Sequence, residues 1–166
     1  MQKKLYDMYC GRFYAFCLRY TEDEFLAQEV LSEGFLTVFE SVGKYRGDGS
    51  FEGWMRMIFL RKALRKCREE RRKQKLFEDS DGYDVVGENN DYGRQMDLRN
   101  VLVEALRRLP AKERAVFNMV TVDGYTFKAV AAFLKEPEST VKSWFYKAKK
   151  TMQEIIVQRL GKDFMN

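Results

Sequence analysis

The chain has 166 residues, 45% of them hydrophobic and 33% charged, with 30 Lys and Arg against 25 Asp and Glu. That length can bury roughly 68–70% of the surface the unfolded chain exposes, enough for one compact domain or two small ones. There is no histidine, which excludes Ser-His-Asp, Cys-His and His-metal chemistry.

Cys10, Cys17 and Cys67 are an odd, scattered set without a CxxC pair, so they predict buried thiols in a reducing compartment, not a disulfide framework or a zinc site. Cys10 and Cys17, seven residues apart, share one helical face. The N-terminal segment lacks a signal-peptide core, and no apolar run approaches the roughly 20 residues a membrane helix needs. The expectation is a soluble cytoplasmic protein with no membrane insertion, no metal and no cofactor.

Two prolines and almost no period-two alternation predict an all-α fold. A first helix over about 2–20 carries Leu5, Tyr9, Phe13, Phe16 and Tyr20 on one face. Thr21 and Glu24 have capping-box spacing and predict a second helix to about 42. Its apolar face is Ala27, Leu31, Phe35, Val38 and Val42. Gly34 within it suggests a close helix approach. After the glycine-rich stretch 43–50, Ser50 can cap a third helix over about 51–74. Met57, Leu60, Leu64 and Cys67 form one stripe of that helix, and Arg61, Arg65, Arg68 and Arg72 another. An unpaired cationic stripe repels itself along a helix, so it is either a solvated face or a surface for phosphates.

Residues 76–97 carry Gly82, Gly87 and Gly93 and little periodicity. They predict an acidic flexible linker, leaving two small helical domains over about 1–75 and 98–166. The second half predicts helices over 98–109, from Pro110 to about 123, over 126–134, and from just after Pro137 to about Leu160. In the last, Val141, Phe145, Ala148, Met152 and Ile155 face inward, with Lys142, Ser143, Tyr146, Lys147 and Lys150 on the other side. A short helix, a tight turn and a longer helix with such a face form a helix-turn-helix pattern, and those side chains suit phosphates and base edges in a major groove. An ordinary helix pair with a wet face is the bland alternative.

Charge is blocked along the chain: net −3 over 1–43, +8 over 44–75, −6 over 76–97 and +6 over 98–166. Two basic blocks around an acidic strip point to two polyanion-binding surfaces.

Several stretches carry a family resemblance. Ala27 to Phe35 resembles the region 2.2 helix of bacterial RNA polymerase sigma factors of the extracytoplasmic-function (ECF) group. Tyr45 to Trp54 is similar to their loop and helix start that capture an unstacked −10 base. Leu106–Pro110, Val116-Phe117 and Gly124-Tyr125-Thr126 match the start of region 4, and Ser139 to Ser143 with Lys147-Ala148-Lys149 resembles the −35 recognition helix.

The resemblance implies a sigma region 2 bundle, a region 4 helix-turn-helix and no enzyme activity. It implies Tyr45, Arg46, Trp54, Arg56, Arg61, Arg65 and Arg68 at the −10 element. At the −35 element it implies Thr126, Ser139, Thr140, Lys142, Ser143, Tyr146 and Lys147. The acidic face of Glu29, Ser32, Glu33, Leu36 and Glu40 is implied to meet core polymerase at its β′ clamp helices, with the β flap as a further contact. An anti-sigma factor is the implied regulator, and the linker is implied to thread the polymerase channel.

The sequence departs from the family in places. Arg61 and Arg65 stand where Asn and Asp are usual, Ser32 where Gln is, and Ala129, Lys135 and Trp144 where Glu, the turn Gly and Arg are. A stand-alone helix-turn-helix regulator is the alternative, and it leaves the first half without a role. An enzyme with Asp79, Asp81 and Asp84 as metal ligands lacks EF-hand spacing.

Overall fold

A computed structural model describes residues 1–78 and 98–161. Seven α-helices occupy the described residues: α1 Gln2–Tyr20, α2 Glu24–Ser41, α3 Phe51–Glu78, α4 Leu98–Arg108, α5 Ala111–Thr121, α6 Phe127–Leu134 and α7 Glu138–Leu160. The acidic segment 79–97, with Asp79, Asp81 and Asp84, lies outside the described residues.

Helices α1, α2 and α3 form a bundle around interleaved aromatic rings. Phe13 and Phe59 stand 4.4 Å apart between centroids, and Phe35 meets Phe59 edge-on at 5.2 Å, an arrangement aromatic quadrupoles favour. Gly34 permits this: a Cβ there would lie 2.3 Å from the Phe59 ring. The glycine that costs α2 about 1 kcal/mol of helix propensity therefore gives Phe59 its seat.

Several boundaries differ from the sequence reading, each for a local reason. Thr21 is not the cap of α2. It ends α1, buried, with its hydroxyl donating to the Cys17 carbonyl at 2.8 Å. Asp23 caps α2 instead, accepting from the Leu26 amide at 2.7 Å, and Glu24 opens the helix. At its other end α2 gives way to one 3-10 turn, Val42–Lys44, which leaves Val42 exposed. Ser50 does cap α3, accepting from the Gly53 amide at 3.0 Å. That helix continues four residues past its expected end, through the first residues of the acidic strip. Its buried stripe is Met55, Phe59, Leu60, Ala63 and Cys67, whereas Met57 and Leu64 are half-buried. Cys17 and Cys67 are buried, but Cys10 is only partly covered.

In the second half, Ala105, Leu106 and Leu109 pack on Ala148, Met152 and Ile155 of α7. Ala115, Val116, Met119, Val130, Ala131 and Val141 belong to the same buried cluster as the aromatic core of the first bundle. Phe145, expected inward, is half-buried against Phe117 and Phe127. Among the described residues, no helix is long and apolar enough to cross a membrane.

Candidate nucleic-acid interface

The turn between α6 and α7 is Lys135-Glu136-Pro137. Lys135 has φ 56° and ψ 46°, a left-handed conformation that costs an ordinary residue about 1–2 kcal/mol. The turn keeps glycine geometry without glycine, held by the Glu136 amide donating to the Ala131 carbonyl at 3.0 Å. It aims α7 so that Lys142, Ser143, Tyr146 and Lys147 all face solvent, Tyr146 being 60% exposed. Lys147, Lys149 and Lys150 have no ion pair among the described residues, while Lys142 meets Glu138 one turn back at 3.2 Å and lies 5.8 Å from the Phe127 ring centre.

Pro137 starts α7 without a side-chain cap; the Thr140 amide donates to the Pro137 carbonyl at 3.1 Å, which leaves the Glu138 and Ser139 amides at the helix start to meet an anion. Ser139 is exposed and Thr140 half-buried. Thr126 serves the helix instead, its hydroxyl oxygen capping α6 by accepting from the Ala129 amide at 3.1 Å. Trp144, at a position where the family has Arg, lies under the Lys112 ammonium, 5.1 Å from its ring.

In the loop before α3, Gly47 and Gly49 have φ of 79° and 82°, backbone that favours glycine. The Tyr45 hydroxyl closes the loop by donating to the Gly49 carbonyl at 2.7 Å. Tyr45, Phe51 and Trp54 form a three-ring cluster with centroids 5.3–5.5 Å apart. Phe51 is absent from the candidates read from sequence, although an aromatic at a helix start beside Tyr45 and Trp54 is a usable signal. Arg46 projects from the loop, exposed.

Several cations of α3 are engaged. Glu52 accepts from Arg56 at 2.9 Å and from Arg12 at 2.6 Å. Arg65 pairs with Glu69 at 3.0 Å, and its bond holds the Glu69 carboxyl below its ordinary pKa. Arg61 lies 5.6 Å over the Phe133 ring of α6. Arg68 and Arg72 are exposed with no ion pair among the described residues. Within the stripe one acid, Glu69, and one ring, Phe133, relieve part of the self-repulsion expected of it.

On α2, Glu29, Ser32 and Glu33 line a shallow groove of about 300 Å³ with Phe25 and Gln28. Phe25 is 71% and Leu36 60% exposed, so the acidic face has an apolar margin, and Glu40 is exposed on the same helix. Sequence reasoning missed Phe25. It also missed Lys66 of α3, which pairs with Glu33 at 2.7 Å. The Glu33 bond raises the Lys66 pKa.

The buried thiols Cys17 and Cys67 are not reactive groups. Burial pushes Cys17 up to about 12 and Cys67 up to about 11, and a neutral thiol is a poor nucleophile. No group of three acids and cysteines is placed to hold a metal among the described residues.

Two tandem family models match the chain in this order: sigma-70 region 2 over residues 5–73 and sigma-70 region 4 over residues 99–152. The chain belongs to the sigma-70 family. It is 21% identical to the ECF RNA polymerase sigma-E factor of Haemophilus influenzae, over 77% of this chain and 73% of that one. Against the ECF sigma factor SigM of Bacillus subtilis the identity is 19%, over 92% and 93%. Against SigE of Mycolicibacterium smegmatis it is 27%, over 93% of this chain and 61% of the relative. The sigma factor RpoE, solved in complex with the anti-sigma factor NepR from Bartonella quintana, superposes with a TM-score of 0.65 at 18% identity, covering 93% of this chain and 95% of that one. That likeness shows the same fold. This sigma factor is a polymerase-binding transcription initiation factor.

Proposed function

We propose that the chain directs core polymerase to promoters through two DNA surfaces, one on each bundle, and helps open the −10 element. The observation that carries this is the exposed row Lys142, Ser143, Tyr146 and Lys147 on α7 behind an uncapped helix start. It supplies cations for phosphates and guanine edges, together with a hydroxyl and a ring for base contacts. Its proposed target is the −35 element.

The proposed −10 surface is the 45–50 loop with Trp54 and the cations of α3, with Arg68 lacking an ion pair among the described residues and Arg61 and Arg65 engaged. The ring cluster of Tyr45, Phe51 and Trp54 supports an unstacked strand, since base–aromatic stacking is worth about 1–3 kcal/mol per base. Strand separation then needs no catalytic group, only tighter binding to the open strand than to the duplex.

The acidic groove of α2, with Phe25 and Leu36 at its margin, is the proposed dock for a basic patch on the polymerase β′ subunit. The domain division follows: region 2 over about 1–75, the segment 76–97 as connection and region 4 over 98–166. The RpoE relative was solved with an anti-sigma factor, which supports an anti-sigma partner for this chain too. Action on cytoplasmic polymerase completes the reading.

Charge reversal at the groove tests the reading. Glu29→Lys with Glu33→Lys should abolish capture of core polymerase while leaving binding of the free chain to −35 duplex intact. Retained capture would overturn the assignment of the groove. A stand-alone regulator would bind its duplex equally well with and without core polymerase.

A further inference from the structure

A small cavity of about 40 Å³ opens between α1 and the start of α3, lined by Arg12, Phe13, Phe16, Arg19, Glu52 and Arg56. Arg12 and Arg19 lie seven residues apart on one face of α1, and Glu52 and Arg56 one turn apart on α3. Phe13 and Phe16 are buried and give the cavity an apolar floor. Three guanidiniums thus surround a space that contains one carboxylate. Gathering like charges is unfavourable unless negative groups offset them.

Two acids offset part of this charge. Glu52 accepts from Arg12 Nη1 at 2.6 Å on one oxygen and from Arg56 Nη2 at 2.9 Å on the other. Asp123, its carboxylate nearly buried, accepts from Arg19 Nη2 at 3.1 Å. Three cations against two carboxylates leave one positive charge. Arg19 Nη1 is buried with no hydrogen-bond partner among the described residues, and an unmet buried donor on a charged group is destabilising.

The backbone beneath Arg19 is fixed. Asn118 Nδ2 donates to the Arg19 carbonyl at 2.6 Å, and Arg114 Nη1 to the Tyr20 carbonyl at 3.2 Å. Arg114, 1% exposed, donates its remaining nitrogens to the Leu106 and Leu109 carbonyls at 3.1 and 2.8 Å. The Arg19 guanidinium itself lies 5.3 Å from the Phe16 ring centre and 5.7 Å from that of Tyr20. A small turn at the end of this side chain is therefore all that brings Nη1 to an acceptor in the cavity. A cation positioned in advance loses little freedom on binding.

Space and charge together select the acceptor. One water needs about 10–15 Å³, so the cavity has room for a single small oxyanion and none for a base or a sugar. Water would satisfy the donor and leave the charge. A carboxylate offers two oxygens, a role Glu52 already fills for Arg12 and Arg56. A terminal phosphoryl group carries close to two negative charges and three oxygens, one for each guanidinium, and the guanidinium fork matches its geometry. The remainder of such a ligand stays in solvent beside the exposed Arg12 and half-buried Arg56.

We propose that Arg12, Arg19 and Arg56 form a binding site for the terminal phosphoryl group of a small phosphate compound, with Glu52 as the resident carboxylate that the phosphoryl group displaces. The site stands apart from the −35 row of α7. It adjoins the ring cluster before α3, since Arg12 lies 5.9 Å from the Tyr9 ring centre and Tyr9 meets Phe51 edge-on at 6.5 Å. Arg56, expected from sequence at the −10 element, is thereby assigned to a different anion.

The test is calorimetric titration of the full chain with inorganic pyrophosphate, the ionic strength being held with sodium chloride. The parent should bind one pyrophosphate saturably, and the ligand should raise the thermal midpoint. Arg19→Gln should weaken binding roughly tenfold, with Arg12→Gln as the second variant should the first not keep its helix content by circular dichroism. Glu52→Gln removes the competing charge and should tighten binding several-fold. Lys3→Gln removes the same charge from an exposed lysine of α1 outside the cavity and should change nothing. No saturable binding by the parent, or equal losses in the arginine variants and Lys3→Gln, would overturn the site. Unchanged affinity in Glu52→Gln would overturn the displacement. Displacement of pyrophosphate by a 5′-hydroxyl single-stranded oligonucleotide at equal phosphate concentration would overturn the assignment to a terminal phosphoryl group, in favour of the diesters of a DNA strand.

Discussion

Helices α3 and α7 carry the two surfaces proposed for DNA, and they differ in what the cations at those surfaces already do. On α3, Arg56 and Arg65 are held by acids on the same helix and Arg61 by a ring of the other bundle. On α7, Lys147, Lys149 and Lys150 have no ion pair among the described residues. A count of charge ranks α3 as the stronger DNA surface, but its candidates Arg56, Arg61 and Arg65 are engaged, whereas three lysines in or beside the candidate row of α7 are open to phosphates. Positive charge that is already paired must be released before it can neutralise a phosphate, so it contributes to a later step of recognition.

The largest effect should come from the packing behind α3. Phe59→Ala removes the ring at the centre of the first bundle and should cost about 3–5 kcal/mol in urea unfolding. A loss below about 1 kcal/mol would mean that the α3 face is not held by that core. Next come the base contacts proposed for α7. Lys142→Ala and Ser143→Ala should each weaken −35 duplex binding by roughly 1–3 kcal/mol if they touch bases. A uniform loss across all sequences would mark them as phosphate contacts.

A smaller effect with the opposite sign is expected at the turn that aims α7. Lys135→Gly should relieve the left-handed strain and raise stability by up to about 1 kcal/mol, the gain offset in part by glycine's unfolded-state entropy. A clear loss would show that the Lys135 side chain contributes to packing. The smallest effect is at the exposed Arg65–Glu69 pair. Arg65→Ala should move the thermal midpoint little, because an exposed pair is screened by solvent, yet it should weaken polymerase-dependent binding of the −10 strand. Arg61→Asn sharpens the same contrast. It restores the usual family residue and should change −10 preference or open-complex yield, and no change in either would reduce Arg61 to a partner for Phe133.

Much of this is legible in sequence because it rests on spacing. Helical periodicity places all seven helices, Ser50 and Gly34 announce their roles by position, and the exposed row on α7 follows from the buried row Val141, Ala148, Met152 and Ile155. What escapes depends on tertiary partners. Arg114 and Asn118 share the buried face of α5 with Ala115 and Met119. A charged residue within an apolar stripe is the visible anomaly, but its meaning needs the carbonyls of Arg19, Tyr20, Leu106 and Leu109, two of which belong to the other half of the chain. Thr21 misleads because a hydroxyl that can cap the next helix can equally bond back to its own. Phe25 and Lys66 flank the acidic groove from places that a one-helix pattern does not connect.

The most direct measurement of the central claim is transcription in vitro. The full chain is added to core polymerase on a linear promoter library, and duplex binding is followed in parallel with and without polymerase. Promoter-specific transcripts, with −10 selection appearing only in the presence of core polymerase, are the predicted result. No specific transcript, together with duplex binding that core polymerase leaves unchanged, would contradict it.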